Sequence, residues 1–428
     1  MSNVIRLPRP SSSRPNGAKP GLYFRVGYNQ HRDVLDLLSS GVHDFHGIVI
    51  DATNLERHVE LKTRALEVGL DVVLDPKTFA MAFPGGHSKS MASLPWGLER
   101  PHTYADFGGD KGKAIALEIA EFATENQFTQ VIGPAHVLSG ANDKWLRRDI
   151  ELMAQMRLAL DADGSDIQMI YPLSLPMQVF RDPLERAAIV AALADSPMDA
   201  IWLRIENFGT DATGEKTVAY IQAACELQNL GVPMIADHVG GLSALGLLAF
   251  GSVGGLSHGI TLYENFKTSS WRKPPEEGRR SGGIATRVYV PRLDMVLKPE
   301  DAKAFLNSST RTKGRFGCRD SHCCPGGLND MLDNPTRHYV YQRSEEVNNI
   351  ASVPESARGS TYLDRYVRPI SDNVSAAASL GAISDEMRKK LEQKQKRLGR
   401  YRQSIGHLVE VDNMRGEPIL PKKRSERK

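Results

Sequence analysis

The stretch GIVIDATNLERHVELKTRALEVGLDVVLDP, residues 47 to 76, contains one complete structural unit. Two short runs rich in Val and Ile, GIVIDA (47 to 52) and DVVLDP (71 to 76), flank a longer segment whose apolar residues recur at helical spacing and which closes on Gly69. Strand, helix, strand in that order is a βαβ unit, which makes the two strands parallel and lays the helix over one face of their sheet.

The same alternation extends in both directions. Further β-rich runs are LYFRVG (22 to 27), QVIGPA (130 to 135), IQMIYP (167 to 172), AIWLRI (200 to 205), PMIADH (233 to 238) and GLSHGIT (255 to 261). Helix candidates such as HRDVLDLLSSG, ANDKWLRRDIELMAQMRLAL, DPLERAAIVAALADS and EKTVAYIQAACELQNLG lie between them. Eight strand-helix units in roughly 240 residues predict an α/β fold, the (β/α)8 TIM barrel. An open doubly wound sheet is the alternative, but no GxGxxG follows the first run. The step from the third run to the fourth is the longest. Its excess, residues 78–111, is rich in Gly, Pro, His and aromatics and lies where barrels keep their chemistry, so it reads as a lid or substrate loop.

A 428-residue chain with 41% hydrophobic and 25% charged residues is long enough to bury a large core. Its polar, Pro- and Ser-rich N-terminus has no secretory h-region, and no later run suits a membrane helix, which predicts a cytoplasmic protein. The net charge of +3 conceals a basic end: residues 385 to 428 carry 14 Lys/Arg and 7 Asp/Glu. Ser384 is an apt N-cap for an exposed basic helix, which reads either as a solvated surface or as a phosphate contact. The expected divisions are a disordered segment 1–20, the barrel 21–268, a zinc-binding segment and extension 269–380, and a basic helical tail 381–428.

Polar residues at the strand ends form the candidate site. They include Asn29, Asp51, Asp75, Lys77, His136, Tyr171, Arg204, Glu206, Asn207, Asp237, His238 and His258. For any one of them a structural role is an alternative, since Asp and Asn at a strand end commonly cap the next helix. Three strands end in Asp, namely Asp51, Asp75 and Asp237, and carboxylates gathered at one mouth shift each other's titration and offer acid and base roles. With histidines, the same mouth suits a divalent metal.

Three of the four cysteines fall in GRFGCRDSHCCPGG, 314 to 327, followed by His338. Cys318, one or both of Cys323 and Cys324, and His338 suit a tetrahedral Zn2+ of structural type, with Asp320 or His322 able to complete it. A reactive thiol or plain unliganded cysteines are the alternatives. Cys225, within a helical run, reads as a buried helix residue.

A barrel followed by a Cys/His segment resembles the tRNA-guanine transglycosylase superfamily. VVLDPKTFAMAF is similar to that family's strand ending in a catalytic Asp, which implies such a role for Asp75. VPMIADHVGGLSALGLLAFGSVGGLSHGITLYENF is similar to its strand, Gly-rich turn, short helix and final strand. In the cysteine segment the family's C-x-C-x2-C register falls on Cys318, Asp320 and Cys323. The last strand carries Ser257 and His258 where the family places a carboxylate.

The resemblance implies base exchange of a guanine-type base in tRNA or DNA, with structural zinc. Such chemistry needs a nucleophilic carboxylate and a proton-handling group. Asp75, Asp237, Glu206 and His258 are the catalytic candidates, and Asp51, His136, Tyr171, Arg204 and His238 the substrate-binding ones. Arg272, Lys273, Arg279, Arg280 and the basic tail are candidate phosphate contacts. The expected partner is nucleic acid and not a membrane, with a homodimer or a subunit role as the assembly. Two other readings stand beside it: a metal-dependent hydrolase or lyase acting through His136, Asp237, His238 and His258, and an inactive barrel serving as a nucleic-acid-binding or scaffold subunit.

Overall fold

A computed structural model describes residues 19–41, 44–274, 286–412 and 415–427. Most of the expected N-terminal disordered segment, and Arg279 and Arg280, lie outside the described residues.

Eight parallel strands close into a barrel in sequence order: β1 Gly21–Arg25, β2 Gly47–Asp51, β3 Asp71–Asp75, β4 Gln130–Ile132, β5 Gln168–Pro176, β6 Ala200–Glu206, β7 Met234–Asp237 and β8 Gly255–Gly259. β8 pairs with β1, Gly21 opposite Gly255, so no edge is left open. Each of the first seven strands is followed by a helix of nine residues or more: α1 His31–Ser39, α2 Val59–Glu67, α3 Gly109–Glu125, α4 Lys144–Ala162, α5 Pro183–Leu193, α6 Gly214–Leu227 and α7 Gly241–Ala249. The expected (β/α)8 barrel is therefore the fold.

The eighth helix comes from much later in the chain. α8, Pro335–Ala351, packs against both α7 and α1 and so completes the outer ring. This helix lies beyond residue 268, the expected end of the barrel. Between β8 and α8 the chain makes an excursion through a two-stranded hairpin, β9 Val288–Val290 with β10 Met295–Leu297, and through the cysteine segment.

One layer of side chains fills the barrel: Tyr23, Val49, Val73, Ile132, Ile170, Trp202 and Ile235. Side chains two positions along a strand share a face, so this layer fixes which other residues point inward. Two residues toward the C-terminal end come Arg25, Asp51, Asp75, Arg204 and Asp237. Two toward the N-terminal end come Asp71 and Gln130, at the barrel floor. Odd steps point outward, into the interface with the helices, where Phe24, Leu74, Tyr171 and Leu203 belong to the main core.

The insertion after β3 is a packed unit and not a loose lid. Trp96 and Phe107 are buried within it. Trp96 Nε1 donates to Pro76 O at 3.0 Å, His102 N donates to Met81 O at 3.0 Å, and Arg100 pairs with Asp106.

The C-terminal helix, α9 Asp385–His407, starts as expected, with Ser384 Oγ accepting from Met387 N at 3.2 Å. It is exposed on one face only. Met387, Leu391, Leu398, Tyr401 and Ile405 are buried at helical spacing, leaving Lys389, Lys396 and Arg400 on the outside. Beyond it the chain passes under the barrel, where Arg427 pairs with the buried Asp71 and Lys423 lies 3.5 Å from Asp44.

Candidate active site and metal centre

At the C-terminal end of the barrel, two arginines and two aspartates form a closed lattice. Arg25 donates through Nε to Asp237 Oδ1 at 2.9 Å, through Nη2 to Asp237 Oδ2 at 2.6 Å and through Nη1 to Asp75 Oδ2 at 2.7 Å. Arg204 donates through Nε to Asp237 Oδ2 at 2.8 Å and through Nη2 to Asp75 Oδ2 at 3.3 Å. Asp75, Asp237 and Arg204 are each 0% exposed and Arg25 is 6% exposed. Phe79, the first aromatic of the insertion, lies under the Arg204 guanidinium at 4.4 Å, and Phe266 and Trp271 pack beside Phe79.

Burial would raise both carboxyls, but the cations outweigh it. Lys77, Arg25 and Arg204 hold Asp75 well below the carboxylate range, and Arg25 and Arg204 do the same for Asp237. Burial pushes His238 down to about 3, so its imidazole is neutral at pH 7. The site therefore presents two fixed anions, two fixed cations and a neutral imidazole.

Backbone strain accompanies these carboxylates. Asp75 Oδ1 accepts from Lys77 N at 2.9 Å and Asp237 Oδ1 from His238 N at 3.0 Å, and Lys77 and His238 have φ of 63° and 60°. Left-handed non-glycine residues cost about 1–3 kcal/mol each and gather where function demands them. Around Asp237, Arg204 Nη1, Ser257 Oγ and His238 Nε2 are buried with no hydrogen-bond partner among the described residues, which leaves them available to a bound group.

Further out, Lys77 Nζ pairs with Asp51 Oδ2 at 2.9 Å, and both are part-exposed at the rim. Glu206 accepts from Thr268 Oγ1 and lies 3.4 Å from Arg272. The expected residues Asp51, Asp75, Arg204, Glu206, Asp237 and His238 are thus brought to the mouth.

Two others, Tyr171 and His258, face away from it. Tyr171 lies one residue from the inward Ile170 and faces the helices. His258, one residue from the level of Asp237, faces outward too, edge-on to Phe24, with Tyr339 Oη at 3.1 Å. His136 lies past the end of β4, stacked on Trp145 of α4 with ring centroids 3.7 Å apart and its Nδ1 2.7 Å from Asp149. The sequence reading missed Arg25. Its spacing of two from Tyr23 carried the signal, because that parity points it inward.

The second site is the cysteine segment. Cys318, Cys323, Cys324 and His338 place four donor atoms within 4.8 Å of one another. The Sγ atoms of Cys318 and Cys323 are 3.6 Å apart, and His338 Nδ1 lies 3.6 Å from Cys323 Sγ and 3.4 Å from Cys324 Sγ. A tetrahedron with Zn–S of about 2.3 Å and Zn–N of about 2.0–2.1 Å has edges of about 3.5–3.8 Å, so the donor set fits. His338 Nε2 lies 3.0 Å from Tyr289 O, a bond that leaves the Nδ1 lone pair free for an ion. Gln342 Nε2 donates to Cys323 Sγ at 3.4 Å.

Both adjacent cysteines join the cluster, and neither Asp320 nor His322 does. Asp320 Oδ1 instead accepts from His322 N, and the His322 ring stacks on Tyr341. The register that placed a carboxylate in the ligand set is corrected: Cys324 supplies that donor. Contact among the three thiols holds Cys318 down and pushes Cys323 and Cys324 up. Four protein donors leave no open position, which suits a structural ion that would staple this segment.

No protein-family model matches the sequence, and no curated protein does. Solved structures similar to the chain are other barrels at low identity. A GH18 chitinase from Pseudoalteromonas aurantia is 11% identical over 56% of this chain and 93% of its own, with a TM-score of 0.35. A GH10 xylanase from Bispora sp. MEY-1 is 11% identical over 56% and 84%, TM-score 0.36. The carboxyl transferase domain of Rhizobium etli pyruvate carboxylase is 10% identical over 93% and 62%, TM-score 0.39. Among the described residues no helix is long and apolar enough to cross a membrane.

Proposed function

We propose that this barrel is a transglycosylase-like enzyme that exchanges a guanine-type base in a nucleic acid, tRNA or DNA, with a structural zinc in its Cys3His cluster. The observation that carries the reading is the pair of ionised carboxylates, Asp75 and Asp237, held by two shared arginines beside three unpartnered polar atoms.

Base exchange breaks the bond from the sugar anomeric carbon to the base nitrogen. A carboxylate attacks that carbon, the base leaves with the bonding electron pair and takes up a proton, and the glycosyl ester is then displaced by the incoming base, which loses one. With two Arg and two Asp the lattice is neutral at rest. Esterifying Asp75 removes one negative charge and leaves the arginines in surplus by one, the sign that stabilises a departing base anion. Ser257 Oγ and His238 Nε2 stand nearby to accept or donate to the base edge. Outside the mouth, Arg272, Lys273 and the Lys389–Lys396–Arg400 face of α9 are exposed cations suited to phosphates.

The test is incorporation of labelled guanine into tRNA and into duplex DNA by the zinc-loaded protein. Incorporation into either polymer supports the reading, and none into both removes it. The second reading, a binding or scaffold barrel, is favoured by the exclusion of Asp75, Asp237 and Arg204 from solvent. It predicts salt-sensitive nucleic-acid binding with no exchange. A metal-dependent hydrolase finds less support. Among the described residues the cysteine cluster is the one group arranged for an ion, and His136 and His258 do not converge on Asp237.

A further inference from the structure

The two sites are joined by one helix. His338 lies in the first turn of α8, the helix that closes the barrel's outer ring. The next residue, Tyr339, faces the barrel: its Oη donates to Glu264 Oε1 at 2.6 Å and lies 3.3 Å from Gly259 O and 3.1 Å from His258 Nδ1. One turn on, Arg343 donates to Glu264 Oε1 at 3.2 Å, to Asp294 Oδ1 at 3.3 Å, to Glu346 Oε2 at 2.8 Å and to Tyr289 Oη at 2.8 Å. Tyr289 is also the residue whose carbonyl faces His338 Nε2.

Glu264 and Asp294 then bear on the turn that follows Asp237. Asp294 Oδ2 accepts from Leu242 N at 3.3 Å. A side chain at Gly240 would collide with Glu264, and one at Gly241, whose φ is +67°, would meet Thr210 and Asp294. Every link is buried, with Tyr339, Arg343, Glu264, Asp294 and His258 all at most 5% exposed. Buried charge-assisted bonds of this kind are strong and directional, and a chain of them moves as one body.

We infer that α8 is a strut coupling occupancy of the Cys3His cluster to the position of the Asp237 turn, with Tyr339 and Arg343 as its positioning residues. Three thiolates and one ion fix the start of α8 through His338. The adjacent Tyr339 and the Arg343–Glu264–Asp294 bridge carry that position to residues 237–242. The coupling goes beyond the proposed reaction and holds whichever chemistry the mouth performs.

Hydrogen exchange on the full chain tests it, zinc-loaded against chelator-treated, with metal content measured in parallel. Loss of the ion is expected to raise exchange by about tenfold or more at residues 238–244 and 259–264 as well as within 314–340, while β2 and β3 keep their protection. Tyr339→Phe, which removes one oxygen, is expected to retain the ion and still raise exchange at 238–244 and 259–264. A merely structural loss would lower the denaturation midpoint without that regional pattern. Arg343→Lys, which keeps the charge, is expected to retain more protection at 238–244 than Arg343→Met. The inference is overturned by a protein that binds no ion, by chelation that unprotects only 314–340, or by Tyr339→Phe leaving 238–244 unchanged. Should chelation unprotect the whole barrel, the Tyr339→Phe comparison alone decides.

Discussion

Arg25 grips Asp237 through two parallel hydrogen bonds, 2.9 Å and 2.6 Å long, reaching from β1 past β8 to β7 inside a closed barrel. Asp237 is fully buried and Arg25 nearly so, and each is tolerable there only because the other is present. Asp75 and Arg204 complete the arrangement with the same logic, and removing any one of the four leaves a buried charge uncompensated.

Arg204→Met is therefore expected to destabilise the protein by about 3–5 kcal/mol, as breaking a buried pair usually does. Combining it with Asp237→Asn removes one charge of each sign and should recover part of that loss. Urea denaturation of the single and double variants measures both. A single variant within about 0.5 kcal/mol of the native protein would mean that the lattice does not hold the mouth together.

Metal content should be one ion per chain in the native protein and none in Cys318→Ser or His338→Ala, with stability falling in both. His322→Ala and Asp320→Ala should keep the ion, because neither residue joins the cluster. Loss of the ion in Asp320→Ala would return that carboxylate to the ligand set.

Three buried histidines set an acid limit. Burial, the largest cause in each case, holds His46 and His58 down to about 4 and His238 down to about 3, against 6.5 in an unfolded chain. Below pH 6.5 the unfolded chain binds protons that the folded protein refuses. Their contribution to stability is thus complete above pH 6.5 and is lost as pH falls toward 4. His46 Nδ1 accepts from Leu22 N at 3.3 Å, a bond that requires the neutral ring. Denaturation midpoints measured across that range should fall with pH, and His46→Gln should flatten the slope by about one proton. An unchanged slope would show that His46 titrates normally.

The chain's last described residues should matter to the barrel floor. Asp71 is 0% exposed and raised by burial, with Arg427 opposing that rise. Arg427→Met should cost about 2–4 kcal/mol, and truncation after Arg415 more, because Pro421 packing on Gly21 and the Lys423–Asp44 pair go with it. Thermal unfolding of the truncated chain checks this, and an unshifted midpoint would mean that the floor is sealed without the tail.

The barrel was legible because period-two runs and helical runs alternate without ambiguity. GIVIDA and DVVLDP became β2 and β3 almost residue for residue. β5 runs past Pro172, where the sequence run ended, to Pro176, since its register with β6 continues to Glu206. α8 was not legible as part of the barrel, because some 75 residues separate it from β8 and only packing on α7 and α1 reveals its place. At the mouth, choosing polar residues at run ends found Asp75, Arg204 and Asp237, whereas parity within each strand would also have found Arg25 and set aside Tyr171 and His258. The expected set Cys318, Cys323, Cys324 and His338 is the one that converges, whereas the register that put Asp320 among the ligands does not survive the turn that carries its carboxylate to His322 N.

In the proposed reaction Asp75 and Asp237 carry the chemistry on a guanine-type base. The most direct measurement is labelled-guanine incorporation into tRNA and duplex DNA by native protein, Asp75→Asn and Asp237→Asn, with nucleic-acid affinity and metal content recorded for each. Incorporation by the native protein is expected, with a loss of at least about a hundredfold in Asp75→Asn and with affinity and zinc unchanged in that variant. Incorporation that survives in both variants, or no incorporation by a zinc-loaded native protein that binds either polymer, would contradict the proposed reaction.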